Sequence, residues 1–330
     1  MKEVAKLAGV SPSTVSRVLN KTQYISAETE KRVLEVVGKL NYYKNIHAKR
    51  LSTGQSDLFG LVISEITNPY FLEIIRGFQA AAWDAGFDVL LCNTEYQPQR
   101  AQSVLNKLVQ NDVRGVAIMT SSIDDSMTDD LIENDIGIVF CNLHSAKLIS
   151  NISIDYQRGV LEAIDHIVGL GHRHVAVIAG PETNRTAVNI KRALLSGLKR
   201  KGIDPTPVIC TDYRLNSGAS AVTAILSAPK RPTAIFCGSD LIAMGAMNAL
   251  EDAGIRIPED ISIVGIDDLS FATLARPPLT TISVPREKLG VMAFDALVKM
   301  LRLKRRTGAD YYLETKLVIR RSTLSHKKRS

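Results

Sequence analysis

The chain has 330 residues, of which 45% are hydrophobic, and a formal net charge of +7. This length accommodates about two domains besides a small head, at roughly 100–200 residues per domain. No apolar run approaches the roughly 18 residues that a membrane span needs. The N-terminus leads directly into a helical pattern and not into a secretory signal. We therefore expect a cytoplasmic globular protein without a membrane partner.

The positive charge is concentrated at the N-terminal end. Residues 1–56 contain ten Lys and Arg residues and four acidic residues, whereas the remainder contains 31 and 30. A small basic module joined to a nearly neutral body is typical of a protein that meets phosphate groups at one end.

Residues 4–20 have the pattern of two short helices separated at Gly9. Ser11 is suited to be the N-cap of the second helix, and Pro12 to occupy its first position. One face of this helix is apolar, and the opposite face carries short or hydrogen-bonding side chains: Ser13, Thr14, Ser16, Arg17 and Asn20. This arrangement predicts a helix-turn-helix whose second helix enters a DNA major groove. The alternative, a simple helical hairpin, would not need such an outer face.

The pattern changes after the first fifty residues. A third helix is predicted at Ala27–Leu40 with Ser26 as its N-cap, and residues 45–52 form a short basic linker. From Leu58 onward, Val- and Ile-rich runs alternate with helical stretches. This alternation predicts parallel sheets covered on both faces, whose ligands bind beyond the carboxyl ends of the strands.

The individual elements of this region follow from the same pattern. The predicted strands are Leu58–Ser64, Phe87–Cys92, Val113–Met119, Gly137–Cys141, Val175–Ala179, Thr233–Cys237 and Ile261–Ile266. Predicted helices between them include Phe71–Ala85, Ala101–Gln110, Gly159–Gly169 and Leu241–Ala253.

The sequence offers no signature of catalysis. It has no phosphate-binding loop, no nucleophile elbow and no Ser/His/Asp set that spacing would single out. The four cysteines occur without a Cys-x-x-Cys pair, which predicts buried, reduced thiols. His172 and His174 are expected in the loop that enters a strand, and not in a metal site. We expect a binding protein without a cofactor or metal.

Motifs along the whole chain occur in the order of a known family. They are the helix-turn-helix, the linker, and residues 66–71 (ITNPYF), 169–173 (GLGHR), 178–181 (IAGP), 236–246 (FCGSDLIAMGA), 264–268 (VGIDD) and 277–282 (PPLTTI). With them the chain resembles the lactose/galactose repressor family. The resemblance implies a homodimeric transcriptional repressor with a periplasmic-binding-protein-like body, whose small-molecule effector binds in the cleft between two subdomains.

The expected fold is thus a small all-α helix-turn-helix head followed by an α/β body of two parallel-sheet subdomains. We expect the head at residues 1–44, a hinge helix or linker at 45–56, and the body at 57–330. The expected subdomains are 57–156 with 285–312, and 157–284 with 313–330. The family usually has a few residues before the first helix, so a start earlier than Met1 is a further expectation.

The resemblance assigns operator contacts by position. They fall on Ser11, Pro12, Ser13, Thr14, Ser16, Arg17, Asn20, Tyr24, Ser26, Thr29, Asn45, Ala48 and Leu51. Pro12 and Ser13 correspond to positions that vary with operator sequence. Arg17 has the reach for a bidentate contact to guanine, although a phosphate contact is the alternative. Leu51 matches the leucine that wedges into the minor groove; without the resemblance it is an ordinary linker residue.

The resemblance also assigns effector contacts. They fall on Tyr70, Phe71, Leu143, Asp155, Asn184, Thr186, Ile190, Tyr213, Ser239 and Asp267. Asp267 follows a buried strand and can accept two hydroxyl groups of a sugar-like ligand, while the aromatic rings offer apolar faces. For Phe71, simple core packing is an equal alternative.

One position departs from the family pattern. Ile190 stands where many sugar- and purine-binding members carry an arginine. Either Arg185 or Arg192 turns inward instead, or the ligand lacks the polar group that this arginine serves. A sugar is therefore expected only as a class, and another metabolite stays open.

Two other functions are weighed against regulation of transcription. A solute receptor for a transporter would suit the body, but the basic head and the missing signal sequence oppose it. An enzyme of sugar or nucleotide metabolism with a DNA-binding head is opposed by the missing phosphate loops and catalytic triads.

Overall fold

The computed structural model describes residues 1–20, 25–40, 56–142, 148–303 and 307–326. They belong to two compact units, Met1–Ser56 and Asp57–Ser330. No helix in the described part of the chain is both long enough and apolar enough to cross a membrane.

The described part of the first unit contains three short helices, α1 (Lys2–Ala8), α2 (Pro12–Asn20) and α3 (Ala27–Lys39). Gly9 ends α1 in the left-handed conformation, with φ of 64°, which glycine adopts readily. The Ser11 hydroxyl accepts the Thr14 N–H at 3.1 Å, which confirms the predicted N-cap. The predicted cap of α3 is also present. Small apolar side chains close the core: Val4, Ala5, Ala8, Val15, Val18 and Val33.

The first lobe of the second unit is a parallel sheet with helices on both faces. Its six described strands run in the order β2-β1-β3-β4-β5-β11. They are β1 (Leu58–Ile63), β2 (Asp88–Asn93), β3 (Gly115–Met119), β4 (Gly137–Cys141), β5 (Ser150–Asp155) and β11 (Asp310–Glu314). The helices are α4 (Tyr70–Asp84), α5 (Pro98–Gln110), α6 (Asp129–Glu133) and α11 (Arg286–Arg302). Helices α4 and α11 cover one face, with Phe59, Phe78 and Phe294 packed between them and the sheet.

The second lobe repeats this plan. Its six described strands run in the order β7-β6-β8-β9-β10-β12, and only β12 is antiparallel to its neighbour. They are β6 (Val175–Ala179), β7 (Val208–Cys210), β8 (Ala234–Cys237), β9 (Ser262–Asp267), β10 (Thr280–Ser283) and β12 (Lys316–Val318). The helices are α7 (Tyr156–Gly169), α8 (Arg185–Arg200), α9 (Leu215–Leu226) and α10 (Asp240–Asp252). Short 3₁₀ turns lie at Asp125–Met127 and Ser270–Thr273.

The chain passes between the lobes three times in its described part. The passages follow β5, β10 and β11, so each sheet is completed by a strand from the C-terminal region. All seven predicted strands are present, with ends shifted by at most two residues. Strands β5, β7, β10, β11 and β12 were not predicted, because they are short or rich in polar residues and their places depend on distant partners.

The prediction of buried cysteines needs one correction. Cys92 and Cys237 are buried and Cys141 is half-buried, but Cys210 is exposed. Cys210 ends the edge strand β7, which has a neighbour on one side only, and its Sγ lies 3.3 Å from the Lys191 Nζ. His172 lies in the loop before β6 as expected. It is buried, with Nδ1 at 2.9 Å from the Thr233 hydroxyl and Nε2 at 2.9 Å from the Leu324 carbonyl.

Candidate functional site

A cavity of about 240 Å³ lies where the carboxyl ends of the two sheets face each other. Open α/β sheets bind their ligands at this edge. The first lobe lines the cavity with Ser64, Asn68, Tyr70, Phe71, Ile74, Tyr96, Met119, Thr120, Ser121, Ile123, Asp124, Cys141, Asn142, Tyr156 and Leu289. The second lobe contributes Thr183, Asn184, Arg185, Thr186, Ile190, Tyr213, Gly238 and Asp267.

The structure brings most of the predicted effector contacts to this cavity. Its lining includes Tyr70, Phe71, Asn184, Thr186, Ile190, Tyr213 and Asp267. Phe71 is also 95% buried in the core of the first lobe, so it serves both of the roles considered for it. Leu143 lies outside the described residues.

Two predicted contacts, Asp155 and Ser239, do not line the cavity. The Asp155 carboxylate accepts the Arg158 N–H at 3.3 Å, and the Ser239 hydroxyl accepts the Ile242 N–H at 3.2 Å. Each side chain is therefore turned toward its own helix as an N-cap. This local hydrogen bond is the physical reason for correcting both positions.

Asp267 is the acidic centre of the cleft. It is the last residue of β9, only 9% exposed, with a φ of 117° that is uncommon outside glycine. Its carboxylate accepts a hydrogen bond from the backbone N–H of Asp240, at the start of α10. Burial, reinforced by the Asp240 carboxylate, raises the pKa of Asp267 well above its ordinary value, and Arg286 opposes this shift.

Asp240 is a second buried acid beside it. The Thr281 hydroxyl and the Leu269 N–H donate to its two carboxylate oxygens, at 2.5 and 2.7 Å. Burial raises the pKa of Asp240 to about 7 despite these two donors. Asp240 lies behind the cavity wall, and its carboxyl group and that of Asp267 resist simultaneous ionisation.

Arg286 connects the two lobes at the backbone of Asp267 and Asp268. Its buried guanidinium, at the start of α11, donates to the backbone carbonyls of Asp267 and Asp268. It also forms an ion pair of 2.9 Å with Glu73 on α4. One side chain thus connects the strand that carries Asp267 with two helices of the first lobe. Sequence reasoning missed it, because nothing local distinguishes Arg286 from a surface arginine.

Four tyrosine side chains line the cavity, two of them predicted and two not. The Tyr156 and Tyr70 hydroxyls share a hydrogen bond, and Tyr96 is hydrogen-bonded to Asn68 and Ser64. Burial raises the pKa of all four phenols, so they are neutral donors and acceptors at physiological pH. Tyr156 was missed because β5, which it follows directly, was not predicted.

Of the two arginines that could turn toward the ligand in place of Ile190, one lies at the cavity and the other does not. Arg185, the first residue of α8, is in the cavity lining, although it is exposed to solvent. Arg192 is exposed and donates to the Asn189 amide oxygen at 3.2 Å. Ile190 is buried and presents only carbon to the cavity.

The second candidate site is the outer face of α2 in the first unit. Ser11, Pro12, Ser13 and Arg17 are exposed, and Thr14 and Ser16 are half-buried. The Ser11 hydroxyl lies 2.7 Å from that of Ser13 and 2.8 Å from that of Thr14, which orders the polar start of the helix. The side chains of Ser26 and Thr29 lie at the start of α3, 2.9 Å apart.

Five residues of the predicted DNA contact set remain untested by the described atoms. The backbone of Asn20 ends α2, but its side chain is not described. Tyr24, Asn45, Ala48 and Leu51 lie outside the described residues. Their assignment continues to depend on the sequence resemblance.

Comparison with known proteins shows the family to which the chain belongs. The family described as bacterial regulatory proteins, lacI family, matches residues 1–45, and the periplasmic binding protein-like domain matches residues 164–323. The HTH-type transcriptional repressor PurR of Photobacterium profundum is 32% identical over 98% of both chains.

Solved structures agree with the sequence relatives. The Lac repressor dimer bound to operator and the anti-inducer ONPF superimposes with a TM-score of 0.87, at 29% identity over 97% of this chain and 98% of that one. A LacI family transcriptional regulator of Enterococcus faecium with bound ribose gives 0.74, at 26% identity over 82% and 100%. On this end-to-end similarity in sequence and fold, the chain belongs to the lacI family of bacterial regulatory proteins.

Proposed function

We propose that this protein represses transcription as a homodimer and that a small polar metabolite in its cleft controls its hold on operator DNA. One observation carries the proposal. A single chain combines a basic helical unit, whose α2 has an exposed polar face, with an enclosed cavity between two lobes. The relatives named above are regulators of transcription, and we interpret the cleft as a binding site and not a catalytic one.

DNA recognition is assigned to α2. Its exposed Ser13 and Arg17 can reach base edges, since short hydroxyls and a forked guanidinium are the groups that read the major groove. Ser26 and Thr29 at the start of α3 are suited to hold the phosphate backbone. From the resemblance we add Asn20, Tyr24, Asn45 and Ala48 as further DNA contacts and Leu51 as a minor-groove wedge.

The cleft suits a ligand of about the size of one sugar ring. Hydroxyl and amide groups, such as those of Thr120, Asn142 and Asn184, surround the tyrosine rings and the Asp267 carboxyl group. A few polar groups set among aromatic faces are the usual make-up of a small-molecule site. The relative with bound ribose shows that a body of this fold holds such a ligand.

Control of DNA binding by the ligand follows from the position of the cleft. The cleft lies between two lobes, and the described chain connects these lobes by three passages. A ligand that contacts both lobes favours one lobe arrangement over another by its differential affinity for them. Arg286 is placed to couple the two, because it binds β9 of one lobe and α4 of the other.

The test is selection from a random DNA library with the full chain. We expect enrichment of a near-palindrome whose half-sites lie about one helical turn apart. Its affinity should fall steeply with salt, at about −0.9 in log K per log salt for each phosphate contact. Enrichment of a single asymmetric site, or of no sequence, would reject the proposal.

A further inference from the structure

The proposed function leaves the chemistry of the effector open, and the following inference depends on that function only in placing the effector in the cleft. We propose that the effector carries a positively charged nitrogen, which binds against Asp267 between the rings of Tyr70, Tyr156 and Tyr213. The ligand class is a small hydroxylated amine, such as an amino sugar or an amino alcohol.

Asp267 has no cationic side-chain partner among the described residues. Its carboxylate receives the Asp240 N–H, but no Lys, Arg or His side chain in the described ranges pairs with it. Arg286 is nearby, yet its guanidinium is held by Glu73 and by the carbonyl oxygens of Asp267 and Asp268. A buried carboxyl group that faces a cavity is stabilised when a ligand supplies the missing positive charge.

The local balance of charge is a further argument. Four carboxyl groups cluster at this point of the lobe junction, those of Glu73, Asp240, Asp267 and Asp268. Two guanidinium groups face them: Arg286 pairs with Glu73, and Arg320 pairs with Asp268 at 2.5 Å. Asp240 is satisfied by two neutral donors. Neither guanidinium is therefore left to pair with the carboxyl group of Asp267, the member of the cluster that opens into the cavity.

Tyrosine rings line the cavity that Asp267 faces. Tyr70, Tyr156 and Tyr213 line the same cavity as Asp267. The electron-rich face of a tyrosine ring attracts a cation, and several rings around one point form the cage that proteins use for ammonium groups. Tyr96 adds a fourth ring to the lining.

The remaining lining argues against an anionic ligand. Ile190 is buried and apolar in the cavity wall, and Arg185 is the one cationic side chain in the described lining. Arg185 is exposed, whereas Asp124 adds a further acid to the first-lobe wall. A carboxylate or phosphate would therefore find no buried positive partner in the described lining.

Titration of the acid supplies a signature for the test. Burial and the Asp240 carboxyl raise the pKa of Asp267, whereas a cation bound against its carboxylate lowers that pKa again and favours release of the proton to the buffer. The groups that face Asp267 are Asp240 on α10, Arg286 on α11 and the cavity tyrosines. An ammonium ligand should release a proton on binding, whereas a neutral polyol should release none.

The experiment compares matched pairs of probes by calorimetric titration of the full chain. Choline is paired with 3,3-dimethyl-1-butanol, which has the same shape without the charge, and glucosamine is paired with glucose. We expect the cationic member of at least one pair to bind tenfold or more tightly. Repeating that titration in buffers of different ionisation enthalpy should reveal the released proton.

Variants separate a specific site from general attraction. Asp267→Asn should remove the preference for the cation, whereas Asp84→Asn, at an exposed acid on α4, should leave it unchanged. If Asp267→Asn does not fold, the probe pairs on the unaltered chain still decide the matter. Equal binding within each pair, a preference for the neutral members, or no binding of either ammonium probe overturns the proposal.

The two proposals fail in different ways. If glucose or another neutral compound binds in the cleft and alters the affinity for the selected operator, the regulatory function stands and the ammonium assignment is wrong. If the DNA library yields no operator, the regulatory function fails whatever the probes show.

Discussion

The outer face of α2 and the lining of the cleft are encoded by the sequence in opposite ways. The residues of α2 lie within one turn-and-helix segment, and their exposed face follows from helical periodicity and from the cap at Ser11. The cleft is assembled from the ends of strands in two sheets, and its central acid is buried. An exposed DNA-binding face can therefore be predicted from a short stretch of sequence, whereas a buried ligand site depends on how distant segments of the chain pack together.

The largest expected effect tests the buried connection beneath the cleft. Arg286→Met should lower the free energy of unfolding of the Asp57–Ser330 unit by about 3 kcal/mol, since Glu73 and two carbonyls lose a buried partner. Arg76→Ala, which breaks an exposed pair with Glu287, is the control and should have no measurable effect. Denaturant unfolding followed by circular dichroism measures both. Equal losses for the two variants would show that Arg286 has no special role.

The second prediction concerns how the buried Asp240 carboxyl group makes stability depend on pH. The pKa of Asp240 is raised to about 7 by burial, so the folded state binds its proton more tightly than the unfolded chain does. Stability should therefore fall as the pH rises from the ordinary Asp range through about 7. Asp240→Asn should flatten this dependence over that pH window. An unchanged slope in thermal melts of the variant would contradict the assignment.

The caps, the helices and Asp267 could be predicted from the sequence, whereas Asp240 and Arg286 could not. The caps at Ser11 and Ser26 and the three helices of the first unit were predicted, because capping and helical spacing act over a few residues. Asp267 was placed at the end of a buried strand and is found there. Asp240 and Arg286 were not predicted as part of the site, since their importance arises from partners that are 19 to 41 positions away or on another lobe.

The corrections have the same origin. Asp155 and Ser239 follow a strand and precede a helix, as ligand-binding residues of such folds do, and this position alone does not distinguish a ligand contact from an N-cap. Tyr96 and Tyr156 could have been found from a general rule that residues just after parallel strands line the cleft. For Tyr156 the rule also needs β5, which was not predicted because polar residues alternate along it.

A third prediction addresses DNA reading by α2. Arg17→Ala should weaken binding to the selected operator by about 1–3 kcal/mol and relax the preference at one base pair in each half-site. Arg17→Lys keeps the charge but loses the fork, so it should relax the same preference with a smaller loss. Quantitative selection with both variants makes the measurement. A uniform loss across all sequences would show instead that Arg17 contacts phosphate.

The smallest effect tests the corrected role of Ser239. Ser239→Ala removes the N-cap of α10 and should lower the stability of the second unit by about 1 kcal/mol. It should leave the affinity for the cleft ligand unchanged, because the hydroxyl points toward Ile242 and not into the cavity. Asn184→Ala is the matched comparison, since Asn184 caps α8 and also lines the cavity, and it should reduce both. Loss of ligand affinity in Ser239→Ala would restore the original prediction.

The central claim is that the occupant of the cleft controls the DNA-binding surface of the same chain. Its most direct test is fluorescence anisotropy of the selected operator with the unaltered protein and with Asp267→Asn, each with and without a saturating cleft ligand. We predict that the ligand changes the operator affinity of the unaltered protein roughly tenfold, within the usual range of such coupling. The variant should bind operator normally and show no response. An operator affinity that stays constant at saturating ligand in the unaltered protein would contradict the claim.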